Sequence, residues 1–195
     1  LPGFNFGEFV TNKKHADLIL MAIACNVTGS FWSTNATDKA CLELVMRAGQ
    51  NIDQMREAHL EENFTWFQFT SKRKRMSTVC SGITDAEFGY PKRLFVKGAS
   101  EMILDCCTHF IDENGQRQVK TKEGQTRILE KINDYASKAL RCICIAYKDL
   151  KEGECGVKHD HKDKGDILYA IEKSGLTCIA ILGIKDIIRP EVPDA

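Results

Sequence analysis

The sequence has no surplus of either charge: Lys+Arg and Asp+Glu both number 27 in 195 residues. General nucleic-acid binders and proteins that ride on anionic membranes normally carry a basic excess, so neither role is expected. Nor is there a long apolar run. The longest, Leu18 to Cys25, falls well short of the roughly 20 residues that a membrane-spanning helix needs. Leu1 to Val10 has no basic start and no small-residue cleavage site, so no signal peptide is expected. Internal repeats and low-complexity stretches are missing. So are the Gly-x-Ser-x-Gly elbow, the His-Glu-x-x-His pair and the Walker A loop, which leaves hydrolase and metalloprotease readings without an anchor.

The nine cysteines are an odd count, scattered through apolar segments such as Cys142-Ile143-Cys144-Ile145. That usage fits reduced thiols packed as small hydrophobes in a reducing, cytosolic setting better than a disulfide framework. The Asn-x-Thr sequons at Asn26, Asn35 and Asn63 are then chance matches. Hydrophobic residues make up 43% of the chain, enough for one or at most two domains with a real core and too much for disorder.

Periodicity supplies the elements. Gly3 to Lys14 reads as an irregular lead-in, His15 to Cys25 as a helix, and Asn26 to Thr37 as a loop. A second helix follows, with Thr37 or a near neighbour as N-cap, Asp38 in its first turn and Gly49 as terminator. Helical texture continues from Ile52 to Leu60. Phe64 to Thr70 is aromatic and Thr-rich, hence a strand; the basic turn Ser71 to Arg75 returns it through Met76 to Val79 as a hairpin. Arg93 to Lys97 is a strand running into a short helix, Ser100 to Cys107. Thr108 to Asp112 and Gln116 to Val119 flank the turn Glu113-Asn114-Gly115. The apolar stripe from Ile128 through Ala139 and Leu140 predicts a helix over Gln125 to Leu140. Beyond it lie a strand (Cys142 to Tyr147), a charged loop (Leu150 to Gly165), a short helix (Asp166 to Ser174) and a strand buried on both faces (Leu176 to Ile184). Arg189-Pro190-Glu191-Val192-Pro193 reads as a linker. The expected fold is α+β, an antiparallel twisted sheet flanked by helices.

Several clusters carry chemistry. Arg93 to Glu101 ends a strand in Lys97, follows it with Gly98 and opens a helix, which suits an anion, although an ordinary turn with a solvated lysine explains the spacing alone more simply. Phe69 beside Lys72, Arg73, Lys74 and Arg75, with Met76, has the parts of a base-stacking site; a solvated basic turn is the simpler local reading. Arg141 either clamps a phosphate or caps the preceding helix. Cys155, His159 and His161 match no closed zinc spacing and read as a solvated loop, so no metal site is expected. Cys106-Cys107 reads as packing.

In this order the segments resemble one family. Asn35-Ala36-Thr37-Asp38 precedes a helix, and Phe69 is followed seven residues later by Met76. Then come Lys97-Gly98-Ala99, Leu140-Arg141 entering a strand, and Gly183 to Pro193. Together they resemble the nucleotide-binding domain of P-type ATPases, from about His15 to the last residue. Lys97-Gly98-Ala99-Ser100-Glu101 and Arg-Pro-Glu-Val-Pro make the chain most similar to the plasma-membrane type of calcium pump. The resemblance implies an ATP site in which Phe69 stacks on adenine, Lys97 with Gly98 and Ala99 lines the pocket, and Met76 completes an apolar wall. Thr37 and Asp38 stand at the adenine end, Asp38 where the family usually has Glu. Arg141 reaches toward the β-phosphate region, and Cys142 is a further nucleotide-binding position. Ser71 stands where sarcoplasmic-reticulum-type pumps have Arg, with Lys72 or Arg73 as substitutes. It further implies residues 1–14 as lead-in, 15–185 as the nucleotide-binding domain and 186–195, with Asp186 and Arg189, as a hinge to a phosphorylation domain.

The phosphorylated Asp-Lys-Thr-Gly-Thr motif does not occur in the sequence. The chain is therefore expected to be a monomeric, soluble fragment from the cytosolic face of a membrane pump, with no direct membrane contact and no catalytic residue of its own. Its ligand would be ATP, carrying Mg2+ on the phosphates, and its partners the phosphorylation and actuator domains. Two other readings are a domain of a sodium/potassium-type pump, and an interaction module that has lost nucleotide binding.

Overall fold

A seven-stranded sheet runs through the middle of the molecule in the order β1-β2-β3-β6-β7-β4-β5. Its strands are β1 (Trp66–Phe67), β2 (Arg75–Cys80), β3 (Arg93–Ala99), β4 (Cys107–Ile111), β5 (Arg117–Val119), β6 (Leu140–Asp149) and β7 (Leu176–Lys185). The computed structural model describes residues 6–27, 29–62, 66–154 and 169–185. All pairings are antiparallel except β4 with β7. That exception arises because the short helix α4 (Ser100–Cys106) carries the chain across β6 and β7 before β4 begins.

Side-chain alternation along the strands feeds two cores, one on each face. In β3, Leu94 and Val96 face α4 and α5 (Lys122–Ser137), packing with Ile103, Leu104, Ile132, Cys144 and Leu176. Phe95 faces the other way, toward α1 (Lys13–Cys25), α2 (Ala36–Arg47) and α3 (Ile52–His59), packing with Ile19, Ile23, Val45 and Ile145. One polar side chain locks the helical layer to the sheet, and another ties two of its helices together. Asn26, wholly buried at the end of α1, donates to the carbonyls of Met76 and Phe95 and accepts from Thr78; it is closed to glycosylation. Arg56 of α3 donates to the carbonyls of Ala24, Val27 and Gly29, satisfying the C-terminal end of α1.

The structure moves several expected boundaries. The cap of α2 is Asn35, whose side chain accepts from the Asp38 amide. Helix α5 starts and ends about three residues early. Thr121 caps its start, and Ala139 at φ 55 breaks it so that Leu140 opens β6. Ala139 is exposed and Leu140 only half-buried, so the apolar stripe in the sequence overruns the end of the helix. The lead-in contains a 3-10 turn at Phe6–Glu8, and α1 begins at Lys13. Among the described residues strand β1 ends at Phe67, so Phe69 lies beyond it. Strand β7 is fully buried only from Leu176 to Ile179, while Ala180, Leu182 and Ile184 pack partly buried against the helical layer. The expected helix near Ser174 is a 3-10 turn at Ala170–Glu172. Most of the charged loop, with Cys155, His159 and His161, and the hinge residues Asp186 and Arg189 lie outside the described residues. Among the described residues no helix is long and apolar enough to cross a membrane.

Arg93 and Asp149 face each other directly in the β3–β6 register, both buried. The guanidinium grips the carboxylate through Nε at 2.5 Å and Nη2 at 3.1 Å, with the Tyr147 ring 4.7 Å away. Removing one partner of such a pair leaves an unpaired buried charge. Arg93→Ala is therefore expected to destabilise the domain by about 3 kcal/mol or more in a urea titration, whereas a surface-type loss under about 1 kcal/mol would contradict the pair's structural role.

Candidate functional site

The strand alternation that places Phe95 toward the helices also places Lys97 there, two residues on. Directly paired residues share a face, so Met76 on β2 and Ile145 on β6 flank Lys97 on the same side. Ala99, Ile143 and Arg141 extend that surface to the end of the sheet. Opposite stands the first turn of α2. The Asn35 side chain caps the helix by accepting from the Asp38 amide at 3.0 Å, and its amide group holds Asp38 Oδ2 at 3.1 Å. Asp38 Oδ1 receives the Lys97 ammonium. Both side chains are only 7% exposed, so helix and sheet are joined by a buried ion pair at the floor of the opening. Arg141 bridges the same gap higher up, donating from Nη1 to Thr37 Oγ1 at 3.0 Å.

Gly98 lets a third element approach. A Cβ there would stand 2.2 Å from the Lys74 carbonyl oxygen and 2.7 Å from Arg75 Cα. With none present, the Lys74 carbonyl accepts from the Ala99 amide at 2.9 Å, and the turn 70–74 folds over the sheet end. That turn carries Phe69, whose ring is 56% exposed, and Lys74, held in the left-handed region at φ 54.

The result is a cleft of about 680 Å³. It brings together Thr37, Asp38, Phe69, Met76, Lys97, Gly98, Ala99, Arg141 and Cys142 from stretches more than a hundred residues apart in sequence. It also includes Asn35, Ala36, Lys74 and Ile143, to which the resemblance assigned no site role. The unassigned cation had a signal. Alternation inward from Met76 sends Arg75 to the opposite face, so Lys74, just outside the strand, was the member of the basic run left to face the opening. Ser71 is exposed on the turn and does not line the cleft.

The basic run is divided: Lys72 and Lys74 are exposed, and the two arginines are buried. Arg75 is 2% exposed and donates to the carbonyls of Met102 and Arg73. Arg73 is 6% exposed and bound to Glu172, so it is not available as the substitute cation for Ser71. Beneath the ion pair, burial pushes the Cys41 thiol up to about 11 against the pull of Lys97. At the cleft wall, burial also raises the Cys142 thiol. Neither is poised as a nucleophile. Chemically, the cleft offers one exposed aromatic face, cations at Lys74, Lys97 and Arg141, and a carboxylate acceptor at Asp38.

Comparison with known proteins identifies the family. The family model for the P-type ATPase cytoplasmic domain N matches residues 24–191, and the chain belongs to that family. It is 37% identical over 163 residues to human plasma membrane calcium-transporting ATPase 1, and 36% identical over the same length to human plasma membrane calcium-transporting ATPase 3. With calcium-transporting ATPase 4, plasma membrane-type, of Arabidopsis thaliana it shares 35% over 159 residues. These alignments cover 82–83% of this chain but only 12–14% of the relatives, so the chain spans about an eighth of their length.

Gly98 yields a direct check. Gly98→Ala pushes a methyl group into backbone, which a flexible side chain cannot relieve. It is expected to cost about 1–3 kcal/mol of stability and to lower the melting temperature. An unshifted melt would mean that the turn does not lie against the sheet end.

Proposed function

We propose that the cleft binds ATP by its base, and that this domain is the nucleotide-holding part of a P-type calcium-transporting ATPase. The observation that carries the reading is the exposed Phe69 ring facing the Asp38–Lys97 floor, with two further cations on the rim. Adenine stacks on the ring; Met76 and Ile143 supply apolar wall; Asp38 accepts from the exocyclic amino group. Lys97, paired with Asp38, lines the floor beside the base, and Lys74 and Arg141 face the phosphates. Mg2+ travels on the phosphates and neutralises part of their charge. Residues 15–185 act as the binding unit, and 186–195, with Asp186 and Arg189, lead to a phosphorylation domain whose aspartate accepts the γ-phosphate. In such a transfer the contribution of this domain is position and charge, since phosphoryl transfer asks little covalent chemistry of the protein. The pump's phosphorylation and actuator domains are then its partners, on the cytosolic side of the membrane.

The affinity of the isolated domain follows from the parts. Stacking contributes about 1–3 kcal/mol per base, and each exposed charge contact roughly 1 kcal/mol or less. A total near 4 kcal/mol corresponds to a Kd on the order of 1 mM. An NMR titration is expected to give a Kd in that range for ATP, with Phe69→Ala weakening it about tenfold while inorganic triphosphate binds both forms alike. Equal affinity of ATP for wild type and Phe69→Ala would overturn the reading.

A further inference from the structure

We infer that Glu172, which lies outside the cleft, is a positioning residue for the Phe69 ring and acts through Arg73; the inference rests on the nucleotide reading above. The observation behind it is a change of direction in the chain. Phe67 is buried in the core, its ring stacked on Tyr169 at 3.8 Å between centroids. Were β1 to continue, Phe69, two residues further, would share that buried face. Instead β1 stops at Phe67 and Phe69 turns outward.

Arg73 makes the turn. Its Nη1 donates to the Gln68 carbonyl at 2.6 Å, and its amide bonds the Thr70 hydroxyl at 3.1 Å. The Thr70 carbonyl accepts from the Lys74 amide at 2.8 Å. Both neighbours of Phe69 are thereby tied to the same loop, and the ring between them has a fixed exit.

The guanidinium can do this only from a buried position, 4.8 Å from the Tyr169 ring. A buried cation needs an anion. Glu172 supplies it at 2.5 Å from Nη2, and is itself wholly buried. The carboxylate also accepts from the Ser77 hydroxyl on β2 and from the Tyr169 amide, so it is anchored to the sheet as well. Arg73 Nε has no hydrogen-bond partner among the described residues. The hold therefore depends on the two arms that reach Glu172 and Gln68. Without the carboxylate, the guanidinium gains by moving to solvent. It then releases the Gln68 carbonyl and, with it, the orientation of the ring.

A double-mutant cycle read by ATP titration separates this role from general stability. Glu172→Gln is expected to weaken ATP about fivefold, part of the roughly tenfold lost with Phe69→Ala, and to leave inorganic triphosphate binding unchanged. In the Phe69→Ala background, Glu172→Gln is expected to cost nothing further, because its effect runs through the ring. Arg73→Lys is measured in parallel and decides the matter if Glu172→Gln does not fold. It keeps the charge for Glu172 but lacks the fork that also reaches Gln68, so it is expected to weaken ATP in the same way. ATP affinity at the wild-type level in the folded Glu172→Gln or Arg73→Lys variant overturns the inference, as do losses that multiply in the double mutant. If Phe69→Ala itself leaves ATP binding intact, the nucleotide reading falls first and this inference falls with it.

Discussion

The buried pair between Lys97 and Asp38 is the joint on which the cleft depends. Each charge left its hydration shell to get there, at a cost of several kcal/mol per ion that only close pairing offsets. The pairing is close because both ends are fixed before they meet. Lys97 sits in a central strand whose register sets its face, and Asp38 sits in a helical first turn whose cap residue, Asn35, grips it from behind. The pair also fixes the width of the opening, because it ties α2 to the sheet at one point while Arg141 and Thr37 tie them at another. Under the nucleotide reading it has a second effect. An incoming nucleotide must share Lys97 with a carboxylate already in place, so the lysine contributes less to affinity than a free ammonium would. Weak, base-dominated binding is the natural property of such a site.

The turn that carries Phe69 follows a different logic. Four consecutive cations in sequence would be expected to repel one another and to point into water. Here the fold divides them. Arg73 and Arg75 go inward, to Glu172 and to backbone carbonyls, and Lys74 faces the cleft. Arginine suits the inward positions because its planar fork can satisfy several acceptors at once. Lysine, a point charge on a flexible stem, suits the rim. Burial pushes the Glu172 carboxyl up and Arg73 draws it back, so the pair is held together by mutual need rather than by solvent.

Much of this could be read in the sequence, and the physical reason differs from part to part. The strand ending in Lys97-Gly98 was legible because a short aliphatic and aromatic run, Leu94-Phe95-Val96, is bounded by charged residues, and its glycine stands at a close backbone approach. The cap of α2 was legible only to within two residues, since Asn35 and Thr37 are both good caps and tertiary contacts chose between them: Thr37 is needed by Arg141. The Asp38–Lys97 pair was not legible, because no local pattern records which helix face meets which strand. Arg73 was misjudged for the same reason. Its partner, Glu172, lies 99 residues away in a turn with no periodic signal. The exposure of Phe69 was inferred from family resemblance, while local propensity alone would have extended the strand and buried the ring.

The composition of the cleft bears on what it can do. Its thiol at Cys142 is raised by burial and so poorly nucleophilic. Its carboxylate is engaged by an ammonium and by Asn35, and is therefore a poor general base. Thr37 has its hydroxyl committed to Arg141, with no histidine beside it among the cleft residues to take its proton. What remains are hydrogen-bond donors, cations and an aromatic face, the equipment for gripping and orienting a nucleotide. Under the nucleotide reading, such a cleft serves by offering the far end of its ligand to a group held elsewhere, and so through the stiffness of the turn and the sheet end that define the direction of the offer.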